Sequence, residues 1–235
     1  MLLYVDDILL ISKSVDKVNV LKSQLSSEFD VKDLGKAKKI LGMVIDRDRS
    51  KCFLKLHQRP YLEKIVSKFS SLDCKPVQVL LAPHFILSKS QSPKSDVEFA
   101  KMEQVPYANA IGSVMYAMIS SRPDLAYAIS LLSRFMSNPG PEHWLALKHV
   151  FAYIRSTLDV GLCYKKRLDE FKLTGYVDAD FGGDRDTKKS TTAIYYTLGD
   201  CCVSWKSQLQ SIVTISSTES EYIALCDAVK EAMWL

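Results

Sequence analysis

Residues 173–235 read LTGYVDADFGGDRDTKKSTTAIYYTLGDCCVSWKSQLQSIVTISSTESEYIALCDAVKEAMWL, and the order of apolar runs in this stretch decides the fold class. Leu173 to Val177, Thr191 to Leu198, Cys202 to Lys206 and Ile212 to Ile215 are short β-favouring runs bounded by Gly, Asp and Ser, as strands are. Ser217 or Thr218 then offers a side-chain oxygen to cap a helix running to Leu235, with Tyr222, Leu225, Val229 and Trp234 as its apolar positions. Strands followed by one covering helix predict an α+β arrangement here, with an open sheet edge.

Working back along the chain, three helices are expected over Tyr107 to Ser120, Pro123 to Met136 and Pro141 to Thr157, punctuated by SSRPD and SNPGP. Before them, Pro76, Pro83 and Pro93 lie among serines and lysines, so 73–105 reads as a linker. Lys39 to Asp46 and Cys52 to Leu56 read as strands around the charged turn RDRSK. A helix should follow with Leu62, Ile65, Val66 and Phe69 on one face. Ser14 is a plausible cap for a helix carrying Val15, Val18, Leu21, Leu25 and Phe29. The chain starts with two apolar runs, Met1 to Val5 and Ile8 to Ser12, expected to form a hairpin with Asp6 and Asp7 at its tip. A two-stranded hairpin is marginal alone and needs neighbours.

The 235 residues are 47% hydrophobic, enough for one large or two small domains, and the net charge of +4 permits nucleic acid without demanding it. Six cysteines without a C-x-x-C pair read as reduced thiols. With no apolar run of membrane-spanning length and no signal-peptide pattern, the expectation is a soluble chain inside the cell, in the cytoplasm or else the nucleus.

Two carboxylate constellations carry potential chemistry. Asp6 and Asp7 are hard oxygen donors that suit a divalent cation, and two-metal phosphoryl transfer needs such groups on a rigid turn. An Asp-Asp pair is equally a solvated, turn-favouring dipeptide. Asp178 on a strand and Glu221 in the first turn of the last helix could share a metal, or could be a strand-end charge and a helix-dipole partner. Residue type alone leaves both pairs open.

The blocks YVDDILLIS (4–12), FDVKDLGKAKKILGM (29–43), VPYANAIGSVMYAMISSRPDLAYAISLLSRFMSNPGPEHWLALKHV (105–150), GYVDADFGGDRDTKKSTT (175–192), VSWKSQLQ (203–210) and STESEYIALCDAVKEAMWL (217–235), in this order, closely resemble copia-type retrotransposon Pol. The resemblance spans essentially the whole chain. It implies a mixed fold: the end of a truncated reverse transcriptase palm with thumb (1–72), the linker (73–105), a helical connection (106–166) and a partial ribonuclease H-like β-β-β-α unit (171–235).

On that resemblance, Asp6 and Asp7 are two of three polymerase carboxylates that hold Mg2+, with Tyr4 and Val5 beside the primer end. Lys36, Lys38 and Lys39 are phosphate-gripping thumb residues or merely a solvated basic turn. Asp178 and Glu221 match the ribonuclease H strand aspartate and helix glutamate, with Glu219 the weaker candidate. Tyr107, Tyr116, Tyr127, Trp144 and Tyr153 are expected as core residues rather than base-stacking platforms. Implied partners are an RNA or DNA template with its primer, RNA–DNA hybrid and the remainder of Pol, with no membrane. Each metal site lacks family aspartates, so the expected isolated chain synthesises no DNA and cleaves no RNA. The alternative is a non-catalytic module that binds nucleic acid or Pol. Two departures from the family pattern stand out: Ala193 in place of glycine, and the apolar VQVLLAP (77–83) in place of a polar turn, which exposes apolar surface unless something covers it.

Overall fold

The computed structural model describes residues 1–69, 75–166 and 172–235. The domain boundaries expected at 72/73 and at 171 lie outside the described residues. The chain is mixed, with seven α-helices and three antiparallel sheets among the described residues.

The hairpin forms, with a shifted tip. Strand β1 (Leu2–Tyr4) pairs with β2 (Asp7–Leu9) so that Tyr4 faces Asp7, leaving Val5-Asp6 as the two-residue turn. Two-residue hairpin turns need a positive φ, and Val5 supplies it at 49°. Asp7 is therefore a strand residue, and β2 ends at Leu9 instead of reaching Ser12. Helix α1 (Val15–Glu28) follows as expected, capped by Ser14 and ended at Phe29, whose N–H bonds Leu25 O. None of its residues is buried. Its apolar stripe forms locally but packs against no other element over any extended area.

The next sheet runs β3 (Lys39–Ile40), β4 (Met43–Asp48), β5 (Phe53–His57) and β6 (Leu162–Lys165). The single strand expected over Lys39 to Asp46 breaks at Leu41-Gly42, both at positive φ, into a tight β3–β4 turn. Gly42 is required there twice over: its φ is +69°, and a Cβ would meet the Tyr116 hydroxyl at 2.9 Å. Strand β6, which periodicity did not reveal, joins Leu162 to Leu56 and so ties the end of the helical block back to residues 53–56. Four residues with one inward position carry too little pattern to announce a strand.

Helix α2 (Arg59–Phe69) buries the expected Leu62, Ile65, Val66 and Phe69. They enter one core with α4 (Tyr107–Ser120), α5 (Ala126–Ser133) and α6 (Pro141–Ser156), including Ile111, Val114, Leu132, Leu147 and Phe151. Tyr107 belongs to that core, its hydroxyl donating to Leu132 O. Trp144 and Tyr153 pack at its margin, whereas Tyr116 and Tyr127 are exposed, contrary to expectation. Between α4 and α5 the turn SSRPD buries Arg122 completely. Its guanidinium is forked onto the Asp124 carboxylate and also donates to the Thr157 carbonyl and hydroxyl. A buried cation needs this full set of acceptors to offset its desolvation.

Much of the expected linker is ordered against the block. Residues 77–91 cross α6, with Ser156 Oγ donating to Val77 O, and with His149 and His143 meeting Val79 O and Ser88 O. The apolar VQVLLAP is thereby partly covered, since Leu80 and Leu81 pack on the core while Val79 stays exposed. Helix α3 (Asp96–Glu103) was also hidden within that stretch, although Ser95 and Glu98 form a reciprocal capping box. Serine and lysine content points to a linker, whereas the cap spacing of Ser95 and Glu98 points to the helix.

The last sheet is β7 (Leu173–Ala179), β8 (Thr191–Leu198) and β9 (Cys201–Leu209), covered on one face by α7 (Ser217–Trp234). The strand expected over Ile212 to Ile215 is absent: this segment leads into the helix, with Ile215 N–H donating to the Glu219 carboxylate. Ser216, not Ser217 or Thr218, is the cap. The side of α7 that meets the sheet is also not the expected one. Ser220, Ala224 and Ala228 are buried, while Tyr222, Leu225, Val229 and Trp234 are exposed. Small residues win because Tyr196 fills the space under the helix and donates its hydroxyl to Ala228 O. Gly175, opposite Tyr196, makes room for the same ring: a Cβ there would lie 2.4 Å from it.

Candidate carboxylate sites

Asp6 occupies the exposed hairpin turn, and Asp7 begins β2 beside it, also exposed. Neighbours in sequence at a tight turn are close by covalent geometry, so the pair forms a concentrated negative charge. The hairpin makes no extended contact with another described element, and no third carboxylate is brought to it. Lys36, Lys38 and Lys39 are exposed.

Asp178 lies near the end of β7, opposite Ala193 on β8. Strand alternation fixes its direction. Val177 pairs with Ile194 and belongs to the cluster under α7, so Asp178 shares the other face with Tyr176, Tyr195 and Trp205. That face turns toward the helical block, where Trp205 Nε1 donates to Met118 O. Glu221 is exposed on α7, one residue beyond the buried Ser220. Glu219 is occupied as part of the helix cap: its carboxylate accepts from Ile215 N–H at 2.7 Å, and its own N–H donates to Ser216 Oγ. Of the two glutamates, Glu221 is thus the one without a capping role.

The structure brings Asp6 to Asp7, but it joins neither to Asp178 or Glu221. Among the described residues no three His, Cys, Asp or Glu groups converge as a metal would require. Magnesium takes near-octahedral oxygen coordination, and two adjacent exposed carboxylates do not supply it. The carboxylates as placed therefore do not fit a magnesium site by themselves.

Sequence reasoning overlooked Asp184, the most tightly held carboxylate of this region. It is 5% exposed and accepts from Arg134, from Thr187 N–H and from the Thr187 hydroxyl. Desolvation pushes its carboxyl up, but the Thr187 bonds and the Arg134 charge outweigh it and hold the group below the usual aspartate range. The spacing of Asp184 and Thr187 within a polar loop was the available signal.

Comparison with known proteins agrees with the motif order. The family model described as reverse transcriptase (RNA-dependent DNA polymerase) matches residues 1–83. The chain is 45% identical over 235 residues to the retrovirus-related Pol polyprotein from transposon TNT 1-94 of Nicotiana tabacum, covering 100% of this chain and 18% of that protein. A putative transposon Ty5-1 protein of Saccharomyces cerevisiae is 31% identical, with 97% of this chain and 72% of the relative aligned. An uncharacterized mitochondrial protein of Arabidopsis thaliana is 34% identical over 234 residues, covering 100% of this chain and 93% of its own length. No solved structure matches. The chain thus spans under a fifth of the tobacco polyprotein and most of the two shorter relatives, and it belongs to the copia-type retrotransposon Pol family.

Proposed function

We propose that the chain is the part of a copia-type Pol that carries the polymerase hairpin, the thumb, the connection and the first β-β-β-α unit of ribonuclease H. Its substrates are template annealed to primer and RNA–DNA hybrid, with magnesium the metal of the intact polyprotein. The observation that supports this reading best is the order of elements: a Tyr4–Asp7 hairpin, a helical block, then three antiparallel strands with Asp178 on the first and Glu221 on the helix that closes them.

Taken alone, the 235 residues are proposed to be catalytically incomplete, because the carboxylates stand as isolated pairs or single groups on exposed surfaces. Purified chain with an RNA template, DNA primer, deoxynucleotides and magnesium is expected to bind the duplex without extending the primer or cutting hybrid RNA. Binding should weaken steeply with salt as phosphate contacts release counterions. Extension abolished by Asp6→Asn would contradict the incompleteness, and absence of binding at low salt would contradict the nucleic-acid reading.

A second reading, a module that docks on the remainder of Pol without catalysing, is favoured by a separate observation. The stripe of α1 is at most half-buried, and the Tyr222, Leu225 and Val229 face of α7 is exposed. Co-purification with the rest of Pol, lost on Leu225→Glu/Val229→Glu, distinguishes it.

A further inference from the structure

The loop between β7 and β8, residues 180–190, is more constrained than a surface turn requires. Asp180 Oδ1 accepts from Thr191 N–H at 2.5 Å, and Ser190 Oγ accepts from Gly182 N–H at 3.0 Å. Asp184 holds Thr187 inside the loop and, outside it, Arg134 at the C-terminal end of α5. Lys188 is fixed at a φ of 60° while its N–H donates to Asp184 O. A lysine in the left-handed region is uncommon and persists only where its surroundings impose it.

The residues 88–91 turn is brought against this loop. Its Lys89 N–H donates to the Asp186 carboxylate at 2.9 Å, and Ser88 O is held by buried His143 of α6. Between the two segments lies an open cleft of about 590 Å³. One wall carries the hydroxyls of Ser88 and Ser90, 2.5 Å apart, and the other carries Gly182, Gly183, Arg185 and Lys188. Asp186 also lines it, but its carboxylate is engaged by the Lys89 N–H. Neighbouring Lys189 is spent on Ser211 O, whereas Arg185 and Lys188 meet no carboxylate among the described residues.

We propose that this cleft binds a phosphate group. A guanidinium and an ammonium supply the charge, and of the paired hydroxyls the one whose proton is not spent on its neighbour donates to an oxygen of the anion. Gly182 leaves the backbone open to that oxyanion on one side, whereas the Asp180 carboxylate packs against Gly183 and bounds the cleft on the other. The ligand chemistry is a phosphate mono- or diester, either a small free anion or one phosphate of a nucleic-acid backbone. None of these residues belongs to the carboxylate pairs, so the proposal stands independently of the polymerase and nuclease reading.

The test is thermal unfolding of the full chain in inorganic phosphate against chloride at matched ionic strength, for wild type and Arg185→Gln/Lys188→Gln. A ligand that binds only the native state raises the melting temperature with its concentration. Wild type should show that rise and the double variant should not, while both melt alike in chloride because the two side chains make no described ion pair. Ser90→Asp, which puts a carboxylate into the cleft, should abolish the rise even if the double variant folds poorly. Equal rises in wild type and Ser90→Asp, or no rise in wild type, overturn the proposal. RNA–DNA hybrid that displaces phosphate, with a salt slope lowered by about 1 in the double variant, assigns the cleft to a backbone phosphate. Phosphate binding that hybrid does not displace assigns it to a small anion.

Discussion

Two regions of one chain, residues 1–34 and the helical block of 59–156, solve the same problem with opposite results. Both have helices with apolar stripes at the right spacing. In the block those stripes meet: α2, α4, α5 and α6 share a core in which Leu62, Ile111, Leu132 and Phe151 are fully or almost fully buried. At the N-terminus α1 has a capped start and a bonded end, yet buries nothing, and Leu2, Leu3, Tyr4 and Val5 of the hairpin are exposed. Capping and periodicity build a helix; only a second apolar surface makes it stable, since an isolated helix of this length is marginal in water. The candidate carboxylates Asp6 and Asp7 lie on the region that lacks that second surface.

The comparison is broken most severely at Arg122. Arg122→Met should remove about 3 kcal/mol in urea unfolding, because the half-buried Asp124 carboxylate keeps only the Tyr153 hydroxyl and the Thr157 carbonyl loses its buried donor. A loss close to zero would mean the block tolerates the pair's absence and is less tightly specified than its geometry indicates. Ile111→Ala should cost about 2–5 kcal/mol through the cavity it opens, whereas Leu25→Ala on α1 should cost under about 0.5 kcal/mol. Equal losses would show that α1 is covered in solution.

Helix α7 offers an intermediate case, since one of its faces is packed and the other bare. Ala228→Leu should destabilise by about 1–3 kcal/mol, because the helix sits directly on Tyr196. Val229→Ser, one residue on, should leave stability almost unchanged.

Acid sharpens the contrast by a smaller amount. Burial pushes the His143 imidazole below the usual histidine range, partly opposed by its bond to Ser88 O. A group whose folded pKa is depressed contributes stability above its unfolded value, about 6.5 for histidine, and that contribution fades as pH falls through the folded value. The melting temperature should therefore decline below about pH 6.5, and His143→Gln should flatten that decline. Asp184, also depressed, adds a second loss only below about pH 4.

Much of the architecture was legible because long helices repeat their pattern. Helices α1, α2, α4 and α6 fall within two residues of expectation. What escaped were features decided by partners far along the chain. Strand β6 exists because β5 is there to receive it, and residues 77–91 are ordered because α6 lies beneath them. The exposed face of α7 carries the large apolar residues that usually point inward. Here Tyr196 already occupies that volume, and alanines fit above it. For the candidate sites, sequence located each carboxylate on its element but not its facing. Asp178 projects from the sheet side opposite α7, a consequence of β7–β8 register that no single strand reveals. Nothing within the 180–190 loop announces its constraint, since its hydrogen bonds to Arg134 and Lys89 span 50 and 97 residues.

The most direct test is native-state hydrogen exchange on the purified chain. Amides of α4 and α6 should exchange only through global unfolding, while those of α1 and the hairpin should exchange near unfolded rates, because none of their residues is fully buried. Protection of α1 equal to that of α6 would contradict this picture and return Asp6 and Asp7 to a rigid, pre-organised platform.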